Sequence, residues 1–196
     1  MQLFERLKKI ILSPKDEWTV IKDENTSSTE VFMKYLLPLA LIPAIAGFIG
    51  YGLIGFRMPF VGHVGSVSYG IREAIVMLIS TIGGIYITAY VIDLLAPSFR
   101  GTKNFQKAFQ LVVYSYTPTM VAGILYILPS LSPIVFIAGL YGLYLLYLGL
   151  KPMMQSPDDK VTVYFIISIV VLIAVYFILS AILAAIFVGR AAIGAL

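Results

Sequence analysis

Charged residues crowd into a few short segments of the chain, and between them lie long stretches without any. A helix needs about 20 apolar residues to cross the hydrocarbon of a bilayer. Uncharged runs of that size extend from Tyr35 to Phe56 and from Ala74 to Ile92. The uncharged run from Ala108 to Leu150 is too long for one crossing and fits two, joined at "PSLSP", Pro129 to Pro133. A last run covers Val161 to Gly189. The pattern therefore predicts five spans, at about 35–56, 74–94, 108–128, 132–150 and 161–189. Ahead of them, Leu3, Phe4, Leu7, Ile10 and Ile11 recur at helical spacing, with Glu5, Arg6, Lys8 and Lys9 filling the other face. Residues 1–30 thus form an amphipathic helical segment before a membrane domain over 31–196.

Composition agrees with this reading. Hydrophobic residues make up 60% of the chain and charged residues 12%, where a soluble domain carries about a quarter charged. The fold class expected is an all-α integral membrane protein. Lysine and arginine are retained on the cytoplasmic side during insertion. Arg6, Lys8, Lys9, Lys15, Lys22 and Lys34 precede the first span, Arg100, Lys103 and Lys107 follow the second, and Lys151 and Lys160 follow the fourth. Against them stand Arg57, Arg72 and Arg190, so the N-terminus is expected inside and the C-terminus outside. The first span is expected to serve as the targeting signal.

The segment "SPKDEWTVIKDE", Ser13 to Glu24, begins as a helix should: Ser13 can cap, Pro14 suits the first helical position, and Asp16 and Glu17 favour the positive end of the dipole. Trp18, the sole tryptophan, is suited to anchoring at the membrane interface. Phe4, Arg6, Lys8, Lys9 and Trp18 are the candidate contacts to a membrane surface or a partner. The alternative is a solvated helix that only positions the first span.

The third span raises a different question. "VVYSYTPTM", Val112 to Met120, gathers polar atoms and a proline in hydrocarbon. Pro118 lacks an amide and frees a carbonyl near Tyr114, which Ser115, Thr117 or a neighbouring helix could satisfy. One reading is a kinked span with its hydroxyls turned toward protein; the other is a groove lined by Tyr114, Tyr116 and Tyr144. Asp93, at the end of the second span, is expected to pair with Arg100, Lys103 or Lys107 at the headgroup level, the alternative being a coupling site. The stripes Ala46/Gly50, Ser80/Gly84/Thr88 and Ala181/Ala185/Gly189 suit close helix packing or, alternatively, a homo-oligomer. The glycines of the loop Arg57 to Glu73 suggest an irregular lid.

Little else carries chemistry. Cysteine is absent, His63 has no partner ligand in the pattern, and no nucleophile, phosphate loop or nucleic-acid patch is legible. No cofactor, metal or nucleic acid is expected, and no enzyme activity.

The order and spacing of "SPKDEWTVIKDE", "YLLPLALIPAIAGFIG", "FQLVVYSYTP" and "YGLYLLYLGLK" resemble the prokaryotic branch of the Yip1 family over nearly the whole chain. The resemblance implies five spans and a cytoplasmic N-terminus in a prokaryotic cell membrane. Eukaryotic members are implicated in vesicle traffic through small GTPases, and their signature Asp-Leu-Tyr-Gly-Pro is replaced here by "KYLLP", which keeps Leu36 and Pro38. Their Gly-Tyr is replaced by "VYSY". The expected function is a non-enzymatic organiser or adaptor that contacts membrane lipids, or a membrane or cytoplasmic protein, through its N-terminal helices. The alternative is a passive transporter, channel or lipid scramblase that uses the tyrosine-lined region near Pro118.

Overall fold

The computed structural model describes residues 3–58 and 62–193, with the side chains of Arg57, Met58, Tyr176 and 179–193 outside the description. Two short helices, α1 (Leu3–Leu12) and α2 (Pro14–Asp23), form a hairpin around Ser13. Pro14 takes the first helical position, while the Ser13 side chain makes no capping bond. Helix α3 (Ser28–Ile54) follows, its first turn capped by the Ser27 hydroxyl, which accepts from the Glu30 amide at 3.2 Å. Wide π-helical turns at Phe32–Leu36 and Phe48–Ile54 interrupt it. The first of these turns carries both Tyr35 and Leu36 into the interior.

A hairpin of two strands, β1 (Phe56–Met58) and β2 (Gly62–Val64), leads to α4 (Val67–Leu95). Its register pairs Phe56 with Val64 and Met58 with Gly62. The loop read as an irregular lid is therefore a short ribbon followed directly by helix. Glycine is required where the ribbon bends, at Gly55 (φ 71°) and Gly62 (φ 90°). A 3-10 turn over Ala96–Phe99 ends α4. Helices α5 (Phe105–Ser115) and α6 (Thr117–Ala122) continue one another, 3-10 turns follow, and α7 (Ser132–Met154) and α8 (Asp158–Ile193) complete the order.

Among the described residues, four helices are long and apolar enough to cross a membrane: Ser28–Ile54, Val67–Phe99, Phe105–Ile127 and Pro129–Met154. They coincide with the first four spans read from the pattern, except that the first ends at Ile54 and not at Phe56 and the third at Ile127 and not at Leu128. The fifth expected span, 161–189, falls within α8, and its Ala181/Ala185/Gly189 stripe lies outside the described side chains.

Small residues let these helices meet at backbone distance. Gly50 faces the Tyr126 carbonyl, Gly52 faces Gly70, and Gly123 faces Pro43. Thr88 donates to the Gly84 carbonyl at 2.7 Å, so its hydroxyl is satisfied within its own helix. A methyl group at position 50 would collide with a backbone carbonyl that cannot swing aside, whereas Gly83 has nothing near its side-chain position. Gly50→Ala is therefore expected to lower thermal stability in detergent by about 1–3 kcal/mol. Gly83→Ala should leave the unfolding midpoint unchanged, and equal midpoints for the two variants would contradict this packing.

Candidate functional site

The polar stretch at Val112–Met120 is where the helical hairpin docks. α5 stops at Ser115 because Pro118 offers no amide to continue it, and α6 restarts at Thr117 with the proline in its first turn. The two halves stay joined through Tyr116, whose amide donates to Val112 O and whose carbonyl accepts from Met120 N, each at 3.0 Å. The Thr117 hydroxyl lies 2.8 Å from that of Tyr35 on α3, both buried. Ser115 turns its carbonyl toward Gly142 of α7, where a side chain would intrude.

Trp18 drives the docking of α2. It is 1% exposed and lies over Gly149 of α7 and beside Leu111 of α5. Its ring meets Tyr114 edge-on at 6.4 Å, and Tyr114 in turn meets Tyr35 at 4.8 Å. Ile10 and Ile21 are fully buried in the same cluster. Each such side chain contributes about 2 kcal/mol relative to water exposure.

Arg6 locks α1 to α2. Its guanidinium lies 5.4 Å from the centre of the Tyr114 ring, bonds Glu17 at 2.5 Å, and also pairs with Glu24. Burial by itself would lower the pKa of this group; the Glu24 hydrogen bond and the charges of Glu24 and Glu17 outweigh it and leave the pKa raised.

The bundle also satisfies the carbonyls that helix ends leave open. Lys107 Nζ donates to Ile21 O (3.3 Å), Lys22 O (2.6 Å) and Glu24 O (2.8 Å) at the end of α2. A cation there also complements the helix dipole. Gln106 and Gln110 both donate to Thr26 O, at 2.7 and 2.5 Å. Tyr141 of α7 donates to Ile11 O, in the last turn of α1, at 2.6 Å.

The residues expected to touch lipid or a partner divide into two sets. Arg6 and Trp18 are inside the protein, so the tryptophan is a core residue and not an interfacial anchor. Phe4, Lys8 and Lys9 are on the outer side of α1. The three tyrosines expected to line one groove occupy three environments. Tyr114 is enclosed beneath the hairpin, and Tyr144 is exposed on α7 with its ring 5.8 Å from Tyr141. Tyr116 borders a cavity of about 210 Å³ with Pro43, Ser80, Thr81 and Thr119.

Asp93 also differs from expectation. It is buried beside Tyr164, and its Oδ1 has no hydrogen-bond partner among the described residues. Arg100 approaches Asp159 instead, at 4.0 Å, and Lys107 is engaged with α2. No cluster fit for a metal occurs among the described residues, and His63 sits in the β ribbon.

The parts that Tyr35, Glu17, Glu24, Lys107, Gln110 and Gly149 play in docking the hairpin were not anticipated from the sequence, which read Glu17 only as a dipole charge and Lys107 only as a loop cation. Gln110 offered a signal, as a hydrogen-bonding amide inside an uncharged run.

The Yip1 domain profile matches residues 8–189 of the chain. No curated protein and no solved structure is a significant match. Because Trp18 is the sole tryptophan, its emission reports docking directly. Arg6→Met leaves Glu17 buried and unpaired, at a cost of about 3–5 kcal/mol, and should shift that emission to the red. Arg6→Met combined with Glu17→Met removes both charges and should return the emission most of the way. An unshifted Arg6→Met spectrum would show that the pair does not hold the hairpin.

Proposed function

We propose, from the premise that this chain belongs to the Yip1 family, that it is a non-enzymatic membrane organiser. It holds an amphipathic hairpin rigidly on the cytoplasmic face of a prokaryotic cell membrane, N-terminus inside and C-terminus outside. The orientation is supported by the lysines and arginines that flank the spans. The observation that carries the function is the division of α1 into two sides. Arg6 and Ile10 are clamped inward, which leaves Phe4 and Leu12 at 71% and 68% exposed on the outer side, where Lys8 is also exposed. These three positions recur every four residues and form one line along the helix. Apolar groups alternating with a cation match the boundary between acyl chains and headgroups, or an amphipathic partner surface. A helix free to rotate would turn this line away; α1 is fixed by its buried side.

A photoreactive phenylalanine analogue at position 4 should cross-link to phospholipid or to one defined protein, and an analogue at position 10 should stay within the chain. Lys8→Glu with Lys9→Glu should weaken the position-4 product several-fold. A position-4 probe that captures nothing would end this reading.

A second reading, a passive conduit, draws support from the cavity at Tyr116, Ser80, Thr81 and Thr119, which places hydroxyls inside candidate spans. For an organiser, liposomes carrying the protein should stay sealed to solutes and to lipid scrambling. Flux that falls on Thr119→Val would replace the organiser with the conduit.

A further inference from the structure

A groove of about 490 Å³ opens between α2 and the last turns of α7, within the roughly 300–1,000 Å³ typical of ligand sites. Lys15 and Lys22 project from α2 and Lys151 from α7, and no carboxylate is among the residues lining it. Trp18, Leu148 and Pro152 supply apolar walls. The spacing of Lys15, Trp18 and Lys22 places them on one side of α2, so docking the tryptophan brings both amines to the rim. The indole N–H of Trp18 is buried without a hydrogen-bond partner among the described residues. Lys151 takes Asp158 at 2.5 Å, a contact in which both side chains are more than half exposed and which a stronger anion can replace.

We infer that this groove binds the phosphate of an anionic phospholipid. The inference rests on the cytoplasmic placement proposed above, which sets α2 against the inner leaflet. Three ammonium groups attract a phosphate, and they repel the ammonium that a zwitterionic headgroup carries, so the net anionic lipid is preferred. Leu148 lies on α7 one turn inside Lys151, which lets the groove run from the headgroup level toward the acyl region of the same lipid. Such a lipid would brace α2 against α7 at the side opposite the Arg6 lock.

The sole tryptophan makes the site readable in the full chain. The protein is placed in nanodiscs of phosphatidylcholine that contain equal fractions of brominated phosphatidylglycerol or brominated phosphatidylcholine, and quenching of Trp18 is compared. Brominated phosphatidylglycerol should quench preferentially. Lys15→Gln, Lys22→Gln and Lys151→Gln together should abolish the preference, at roughly fivefold in relative affinity per lysine. The three arginine replacements should retain it. Phe4→Ser with Leu12→Ser, which removes the outer line of α1, should leave it intact, so failure of the organiser reading and failure of this site are separable. If the triple glutamine variant shifts the unquenched Trp18 emission, Lys15→Gln with Lys22→Gln decides instead. Equal quenching by both lipids in the unaltered protein, or a preference that survives the glutamines, would overturn the inference. Loss of preference on adding millimolar inorganic phosphate would also overturn it, by assigning the groove to a soluble phosphate.

Discussion

A carbonyl without an amide partner has no water to turn to inside hydrocarbon, and each one left open costs several kcal/mol. The arrangement at the N-terminal end of this bundle follows from that constraint. Pro118 breaks the third span, and the break is bridged through Tyr116 while Thr117 finds Tyr35. The two short helices of the hairpin end against the bundle, where their last carbonyls are partly shielded from water. Lys107 and Tyr141 reach them from α5 and α7. The hairpin is thus held by polar bonds at its ends and by Trp18, Ile10 and Ile21 along its length.

The same constraint explains the type of charge chosen for the lock. A buried ion pair stabilises little by itself, since desolvation opposes the attraction, but it punishes any arrangement that separates its members. Arg6 is placed to make such separation costly, since it serves Glu17 and Glu24 at once through its two terminal nitrogens and lies over the Tyr114 ring. A lysine would supply a point charge and lose the fork. The lock therefore disfavours arrangements in which α1 and α2 come apart.

Fixing the hairpin has a consequence at the surface. The buried sides of α1 and α2 determine which residues remain outside, and those are the line of Phe4, Lys8 and Leu12 and the lysine-rimmed groove beside Trp18. Under the proposal above, each would meet a lipid headgroup or an amphipathic partner without moving the spans. In the proposed role as organiser, the bundle contributes rigidity and the hairpin contributes contact.

The sequence alone determined the membrane class and the first four crossings, because a bilayer demands a fixed length of uncharged helix and tolerates few exceptions. It also determined α1 and α2, through helical spacing, Pro14 and the acidic first turn of α2. Only the tertiary structure decided where those helices put their apolar sides. Trp18 and Ile21 would look the same in a sequence whether they faced acyl chains or a slot in protein, since both surroundings are equally apolar. The slot itself is built from distant residues: Gly149 leaves room for the indole, Leu111 flanks it, and Tyr114 receives both Trp18 and Arg6. Asp93 illustrates the same limit. The nearest charges along the chain, Arg100, Lys103 and Lys107, are cationic, yet helix α4 turns it inward beside Tyr164, because the side a residue faces is set by the packing of its helix and not by those charges.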